Sequence, residues 1–159
     1  MPAVVKKVKA QKDYPQFGVK RGQQHFTWSV PMGGVFVKFR SMTQPKKSQL
    51  VAPGYQQDFA VLQETAEALG EIHDTSDIDS LIDEITALKD ETEEKYNNMP
   101  QQLQGGDTGV LMQERVTELE TWIEELSNIM SDAEAITDDM EDCAEQWEQI
   151  SERVQSCIP

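Results

Sequence analysis

Cationic and aromatic side chains are interleaved over a short stretch of the N-terminal part of this chain. Two runs, HFTWSV and VFVKFRS, place aromatic rings between or beside basic residues. Basic side chains neutralise phosphates, and aromatic rings stack on bases. The pattern predicts nucleic-acid binding through five residues: Lys20, Arg21, Trp28, Lys38 and Arg40. The competing interpretation is that Phe26, Trp28 and Val30 form a small core and that the lysines are only solvated.

The histidines and cysteines do not form a pattern that would bind a metal. His25 and His73 are isolated, and no HxxxH, HExxH or CxxC spacing occurs. Cys143 and Cys157 would be about 21 Å apart on one helix, too far for a disulfide within that helix. We expect reduced thiols and no metal, the alternative being a disulfide between two copies of the chain.

The remaining polar clusters do not combine into a catalytic site. The segment Gly105–Gly109 can cradle an anion at a helix N-terminus, but it more simply closes a helical hairpin with Asp107 or Thr108 as the cap. Carboxylate pairs such as Asp138/Asp139 and Glu124/Glu125 are typical of a solvated helix face. Because no nucleophile–base pair, metal set or cofactor loop can be assembled, we expect no enzyme activity and no cofactor.

Charge is divided sharply along the 159 residues. Residues 1–50 hold ten basic residues and one acid, a charge of +9, and residues 51–159 hold four basic and 28 acidic residues, a charge of −24. Such asymmetry favours different partners for the two parts. The acidic part can imitate the phosphates of DNA and occupy a DNA-processing protein, or it can be a solvated bundle, and the basic part can instead dock on these acids.

Hydropathy predicts that the protein is cytoplasmic and not secreted. The N-terminal residues lack the apolar stretch of a signal peptide, and no apolar run approaches 18 residues. We therefore expect a cytoplasmic protein without a membrane partner.

The candidate binding residues lie on a predicted β-ribbon. Residues 25–30 and 35–41 alternate with period 2 around Gly33 and Gly34, which indicates a β-hairpin, and residues 17–21 can add a third strand. Residues 1–13 are a basic arm, either disordered or an edge strand. We predict a first domain of residues 1–50 that contains the arm and the ribbon.

Residues 51–159 are predicted to be helical after a linker that reaches residue 55. Helices are expected at about 56–72, 76–98, 108–130 and 132–157, with Ser76 as the cap of the second. A break is expected near residue 131, where residues 131–134 fit a capping box. The heptad stripes of the last two helices are Met112, Val116, Leu119, Ile123, Leu126 and Met130, then Ile136, Met140, Cys143, Trp147, Ile150, Val154 and Cys157.

The predicted fold class is α+β and mostly α: a small antiparallel β-ribbon followed by an acidic helical hairpin or bundle with coiled-coil-like heptads. Heptads of this length suit a bundle within one chain, which we favour, or a homodimer through the C-terminal helix.

Two blocks of the sequence resemble a group of uncharacterised small proteins of tailed bacteriophages and prophages. The first block comprises Lys9–Asp13, Gly18–Gly22, Phe26–Trp28, Gly33–Gly34 and Ser48–Leu50, and the second comprises Asn98–Pro100, Leu103–Gln104, Gly106–Gly109 and Gln113–Arg115. The chain departs from the group at Gln23, where an acid is usual, and at residues 42–44, which replace a basic run. The resemblance implies a phage origin and supplies no activity.

Three functions remain open on these grounds. The first is a non-enzymatic phage accessory protein that binds nucleic acid through the ribbon. The second is an inhibitor that binds a host defence or DNA-processing enzyme through the acidic helices. The third is a component of the virion or of its assembly.

Overall fold

A computed structural model describes residues 3–136 and 142–159. Helices hold 59% of the structure, and they follow a small antiparallel sheet, which confirms the predicted α+β, mostly α fold class. The strands are β1 (Lys6–Lys9), β2 (Gln24–Met32) and β3 (Val35–Ser41). The helices are α1 (Tyr55–Ala68), α2 (Thr75–Asn97), α3 (Gln101–Gln104), α4 (Asp107–Ala133) and α5 (Cys143–Ser156). The chain divides into two compact units, which we call the sheet unit (Met1–Val61) and the helical unit (Leu62–Pro159).

The sheet has the strand order β1-β2-β3, and both pairs are antiparallel. β2 and β3 form the predicted hairpin, whose turn consists of Gly33 and Gly34 with φ of 58° and 87°. Two consecutive positive φ angles match the twist of a hairpin and favour glycine at both positions. The ladder pairs Val30 with Val37 and Thr27 with Arg40.

The third strand lies in the basic arm and not at residues 17–21, so that prediction was wrong. Lys6–Lys9 pairs with β2, whereas Pro15–Phe17 forms a 3-10 turn and Tyr14 and Val19 form an isolated bridge. Pro15 has no amide hydrogen to donate, and Gly18 at φ 65° reverses the chain, so this stretch cannot extend a ladder.

The linker after β3 belongs to the sheet unit. It contains a 3-10 turn at Lys47–Leu50, and the Trp28 indole N–H donates a hydrogen bond to the Gln49 carbonyl oxygen at 2.8 Å. The division between the units therefore falls after Val61, later than the predicted boundary at residue 50. α1 begins one residue before its predicted start and ends at Ala68, shortly before Gly70 at φ 58°.

α2 and α4 form an antiparallel hairpin at the centre of the helical unit. The Gln113 amide donates to the Tyr96 hydroxyl at 2.8 Å, and the Lys89 ammonium lies 4.0 Å from the Glu120 carboxylate. The apolar stripe predicted for α2 is buried as expected: Ile78, Leu81, Ile85, Leu88 and Thr92. The cap is Asp74 instead of Ser76, because the Asp74 carboxylate accepts the Ser76 amide at 2.8 Å.

The stripe predicted for α4 was correct at Leu119 and Leu126 and wrong by one helix position at Ile123 and Met130. The buried residues include Leu119, Trp122, Leu126, Ile129 and Ala133, whereas Ile123 and Met130 are only half-buried. Leu119 and Leu126 belong to both stripes, so spacing alone did not separate them. α4 also continues through Ser131, whose hydroxyl donates to the Ser127 carbonyl, so the capping box at 131–134 does not form.

α5 is tied into the helical unit by its own hydrogen bonds. The Ser151 hydroxyl accepts the Ile72 amide at 2.8 Å, and the Gln155 amide donates to the Ala66 carbonyl at 2.8 Å. Ile150 and Val154 are buried in this chain and are therefore not available as a seam between two copies. The predicted stripe member Met140 and the pair Asp138/Asp139 lie outside the described residues.

Candidate nucleic-acid interface

All five residues predicted to bind nucleic acid lie in the sheet unit, but they do not form one surface. Lys20 and Arg21 are exposed in the turn after Val19, and Lys38 is exposed on β3. Arg40 is half-buried further along β3, and Trp28 is buried in β2. The structure therefore separates one aromatic residue of the predicted set from the four cations.

Trp28 is part of the core of the sheet unit. Its side chain is only 5% exposed, its ring stacks on Phe39 with centroids 5.9 Å apart, and its N–H is bonded to the Gln49 carbonyl. A ring enclosed in this way cannot stack on a base without unfolding its surroundings. Trp28 therefore does not belong to the candidate interface, in agreement with the competing interpretation that Phe26, Trp28 and Val30 form a small core.

Arg40 is held by aromatic rings on the opposite face of the sheet from Trp28. Its guanidinium carbon lies 4.0 Å from the centroid of the Tyr14 ring and 5.9 Å from that of Phe17. The Lys12 ammonium lies 5.7 Å from the same Tyr14 ring. Cation–π contacts fix a cation in position without neutralising its charge, so Tyr14 gathers two cations on this face.

Lys20 and Arg21 follow directly on the segment that contains Tyr14. The Tyr14 amide donates to the Val19 carbonyl at 2.7 Å, which brings the turn back beside Tyr14. The Asp13 carboxylate accepts the Arg21 backbone amide at 2.6 Å, and the Gln23 side-chain oxygen accepts the Lys20 amide at 2.7 Å. The turn is thus held by hydrogen bonds to its backbone, which leave both cationic side chains exposed.

Cross-strand pairing places Lys38 and Lys6 on the face that carries Arg40. Arg40 pairs with Thr27, Thr27 with Lys6, and Lys38 with Ser29, and paired residues point to the same side of a sheet. We call this surface the cation face. It comprises Lys6, Lys38 and Arg40 on the sheet, Lys12 over the Tyr14 ring, and the adjoining turn with Lys20 and Arg21.

The cations of this face are not neutralised by ion pairs. Among residues 3–136 and 142–159, no carboxylate oxygen lies within 4.0 Å of a cationic nitrogen of these six side chains. The sheet unit holds ten basic residues and two acids, a charge of +8. This arrangement can attract and bind a polyanion.

The tip of the hairpin carries an aromatic residue that the predicted set did not include. Phe36 is 77% exposed and Val35 is 62% exposed, and the cross-strand partner of Phe36, Pro31, is exposed as well. The signal was present in the sequence, because the alternation of β3 groups Phe36 with Lys38 and Arg40 and not with the apolar residues. An aromatic residue in the polar phase of a strand indicates a surface role.

His25 is buried beside Tyr14, on the side of the sheet that carries Arg40. It is 2% exposed, its ring lies 6.0 Å from the Tyr14 ring, and its Nδ1 atom has no hydrogen-bond partner among the described residues. The second histidine, His73, is exposed in the helical unit, 3.7 Å from Glu71. In the parts of the chain that the structure describes, no three metal-binding side chains converge.

The other polar features of the sequence are explained by local structure in the helical unit. Glu124 and Glu125 are exposed. The cap of α4 is Gly106, not Asp107 or Thr108, and Asp107 occupies the first turn, where its charge disfavours an anion. Burial raises the pKa of the Cys157 thiol, an effect that the Trp122 indole partly opposes, so the thiol is protonated and weakly reactive at neutral pH.

No helix in the described ranges is long and apolar enough to cross a membrane. The chain matches none of the family models, curated proteins or solved structures with which it was compared.

Proposed function

We propose that this protein is a non-enzymatic accessory protein of a tailed bacteriophage that binds nucleic acid through the cation face of its sheet unit. The phage origin rests on the resemblance of two separated sequence blocks. The binding role rests mainly on one observation, which is that six cations lie on one face of the sheet and on the turn beside it, and no carboxylate of residues 3–136 and 142–159 forms an ion pair with them.

The arrangement of these cations favours a polyanionic partner over a purely solvated surface. Solvated lysines need no positioning, but Arg40 is stacked on Tyr14 and the turn that carries Lys20 and Arg21 is held by the Asp13 carboxylate. The Arg40 guanidinium therefore loses less side-chain entropy on binding than a free one would, and the fixed turn backbone limits the region that the Lys20 and Arg21 side chains can reach, which favours contacts with phosphates at fixed places.

Salt dependence of binding tests this proposal. Duplex binding through four to six of these cations predicts a slope of log K against log salt of about −4 to −5, from roughly −0.9 for each phosphate neutralised. The double variant Lys20→Ala/Lys38→Ala should flatten that slope by about two. The measurement is fluorescence anisotropy with a labelled duplex between about 50 and 200 mM salt.

A matched control separates local contacts from net charge. Lys89→Ala/Lys95→Ala removes the same two charges from the helical unit, where both lysines pair with carboxylates. We expect this variant to bind with the slope of the parent protein. Absence of binding at about 50 mM salt, or an equal loss of slope in both double variants, would overturn the proposal.

A second candidate function rests on the charge of the helical unit. Residues 62–159 hold 27 acids and four basic residues, a charge of −23. Such a surface suits a basic, DNA-binding protein as partner, and an inhibitor of that kind would compete with DNA for it. This function would be favoured over nucleic-acid binding if the full chain competes with DNA for such a protein and the variant Lys20→Ala/Lys38→Ala competes equally well.

A further inference from the structure

The tip of the β2–β3 hairpin combines an apolar end with cations directly behind it. Beyond the pair Val30–Val37, the ladder continues through Pro31–Phe36 and Met32–Val35 to the glycine turn. Single exposed apolar residues are common on proteins, but here three lie together at one end of a ribbon: Pro31, Val35 and Phe36. Exposure of these three apolar side chains to water does not stabilise the sheet, which favours a role for them in binding.

The dimensions of this tip match the grooves of duplex DNA. Two residue pairs and the turn extend about 10 Å at roughly 3.3 Å per residue, and the grooves are about 7.5–8.5 Å deep. Lys38 lies two residues behind Phe36 on the same face, roughly 6.6 Å along the strand. A ring that reaches the bases would therefore leave Lys38 at the level of the phosphates.

We infer that Phe36 is a wedge that inserts between base pairs of duplex DNA and bends it. The inference rests on the proposed nucleic-acid binding and adds the kind of nucleic acid and the mode of contact. Apolar side chains inserted in this way partly unstack a base step and kink the duplex by roughly 20–90°. The energy of unstacking is offset by the contacts that the bent duplex makes with the cations behind the tip.

A single-stranded ligand fits this surface less well. Proteins that bind single strands stack successive bases on several exposed rings along a sheet face. On the cation face, the rings of Tyr14 and Phe17 are half-buried and held against the Arg40 guanidinium. Only Phe36 among the described aromatic residues of this face is exposed, so the face offers no series of exposed rings. One exposed ring at the end of a narrow ribbon suits insertion at one base step.

The test compares three variants of the full chain on a duplex of about 30 base pairs with a fluorophore at each end. Energy transfer between the ends reports bending, and anisotropy reports affinity. We expect Phe36→Ala to abolish the bend and weaken binding about tenfold, within the range for loss of one stacked ring, with an unchanged salt slope. Phe36→Leu should retain part of the bend, because leucine can also act as a wedge.

Val4→Ala is the matched control, since Val4 is an exposed apolar residue of the same unit that lies outside the hairpin. It should bind and bend as the parent protein does. Salt-dependent binding with equal bending by Phe36→Ala and the parent would overturn the wedge and leave the proposed function standing. Tighter binding to a single strand than to the duplex would also overturn it, and failure of the parent to bind either would overturn both proposals.

Discussion

At the scale of single residues, burial decides which of the two aromatic residues Trp28 and Phe36 can contact a ligand. Both are aromatic residues of the same hairpin, and the sequence pointed to the tryptophan as the binding residue. The structure encloses Trp28 between Phe39 and the linker, and it leaves Phe36 in solvent. The larger ring therefore stabilises the sheet unit, and the smaller one is available to a ligand.

Replacement of Trp28 should affect stability and not the nucleic-acid contact itself. Trp28→Ala should lower the free energy of unfolding by about 3–5 kcal/mol, as expected for truncation of a buried aromatic side chain. Trp28→Phe should cost about 1 kcal/mol or more, because the hydrogen bond to the Gln49 carbonyl is lost. Urea unfolding followed by circular dichroism measures both. Loss of DNA binding by Trp28→Ala with an unchanged unfolding midpoint would contradict the core role.

At the scale of elements, the corner between α3 and α4 depends on close approach of two backbones. A Cβ atom added at Gly109 would lie well under 3.0 Å from the Gln104 carbonyl. The Gln104 side chain in turn donates to the Met99 carbonyl at 2.9 Å and to the Tyr96 carbonyl at 3.2 Å, which joins α3 to the end of α2. The close packing of α3 on the start of α4 therefore requires glycine at position 109, which belongs to the second of the two sequence blocks.

Gly109→Ala should destabilise the helical unit, since the obstacle is backbone and cannot move aside cheaply. We expect a loss of about 1–3 kcal/mol in the free energy of unfolding. Gly105→Ala is the matched control, because a Cβ atom there meets no atom within 4 Å and Gly105 has φ of −81°. That variant should be within about 0.5 kcal/mol of the parent. Thermal unfolding of both variants is the measurement, and equal effects would contradict the packing role.

At the scale of the whole molecule, charge is divided between the two units. The sheet unit carries +8 and the helical unit −23, and few of the acids in the helical unit have a basic partner, since it contains only four lysines and arginines. Repulsion among like charges destabilises a compact unit and is screened by salt. The same salt weakens binding of phosphates by the cation face.

Salt should therefore act in opposite directions on stability and on DNA binding. An increase from about 20 to 500 mM salt should raise the free energy of unfolding by roughly 1–2 kcal/mol, or Tm by about 2–8 °C for a chain of this size. Scanning calorimetry at several salt concentrations measures the effect. A decrease in Tm with salt would mean that ion pairs such as Arg153–Asp132 outweigh the repulsion.

The sequence by itself determined the features that depend on neighbouring residues. Alternation on both sides of Gly33 and Gly34 specified the hairpin, because a period of two and a glycine turn are local properties of the chain. The stripe of α2 was read correctly for the same reason, and the charge of each part follows from composition alone. Four of the six cations of the cation face, Lys20, Arg21, Lys38 and Arg40, were singled out from the sequence in this way.

Only the tertiary structure decided the features that depend on a partner far away in the chain. β1 is a strand because β2 supplies its hydrogen bonds, and Trp28 is buried because Gln49 and the linker cover it. In α4, two stripes share Leu119 and Leu126, and tertiary packing selected the one with Trp122. Stacking of Arg40 on Tyr14 likewise depends on two residues far apart in the chain, which no local pattern specifies.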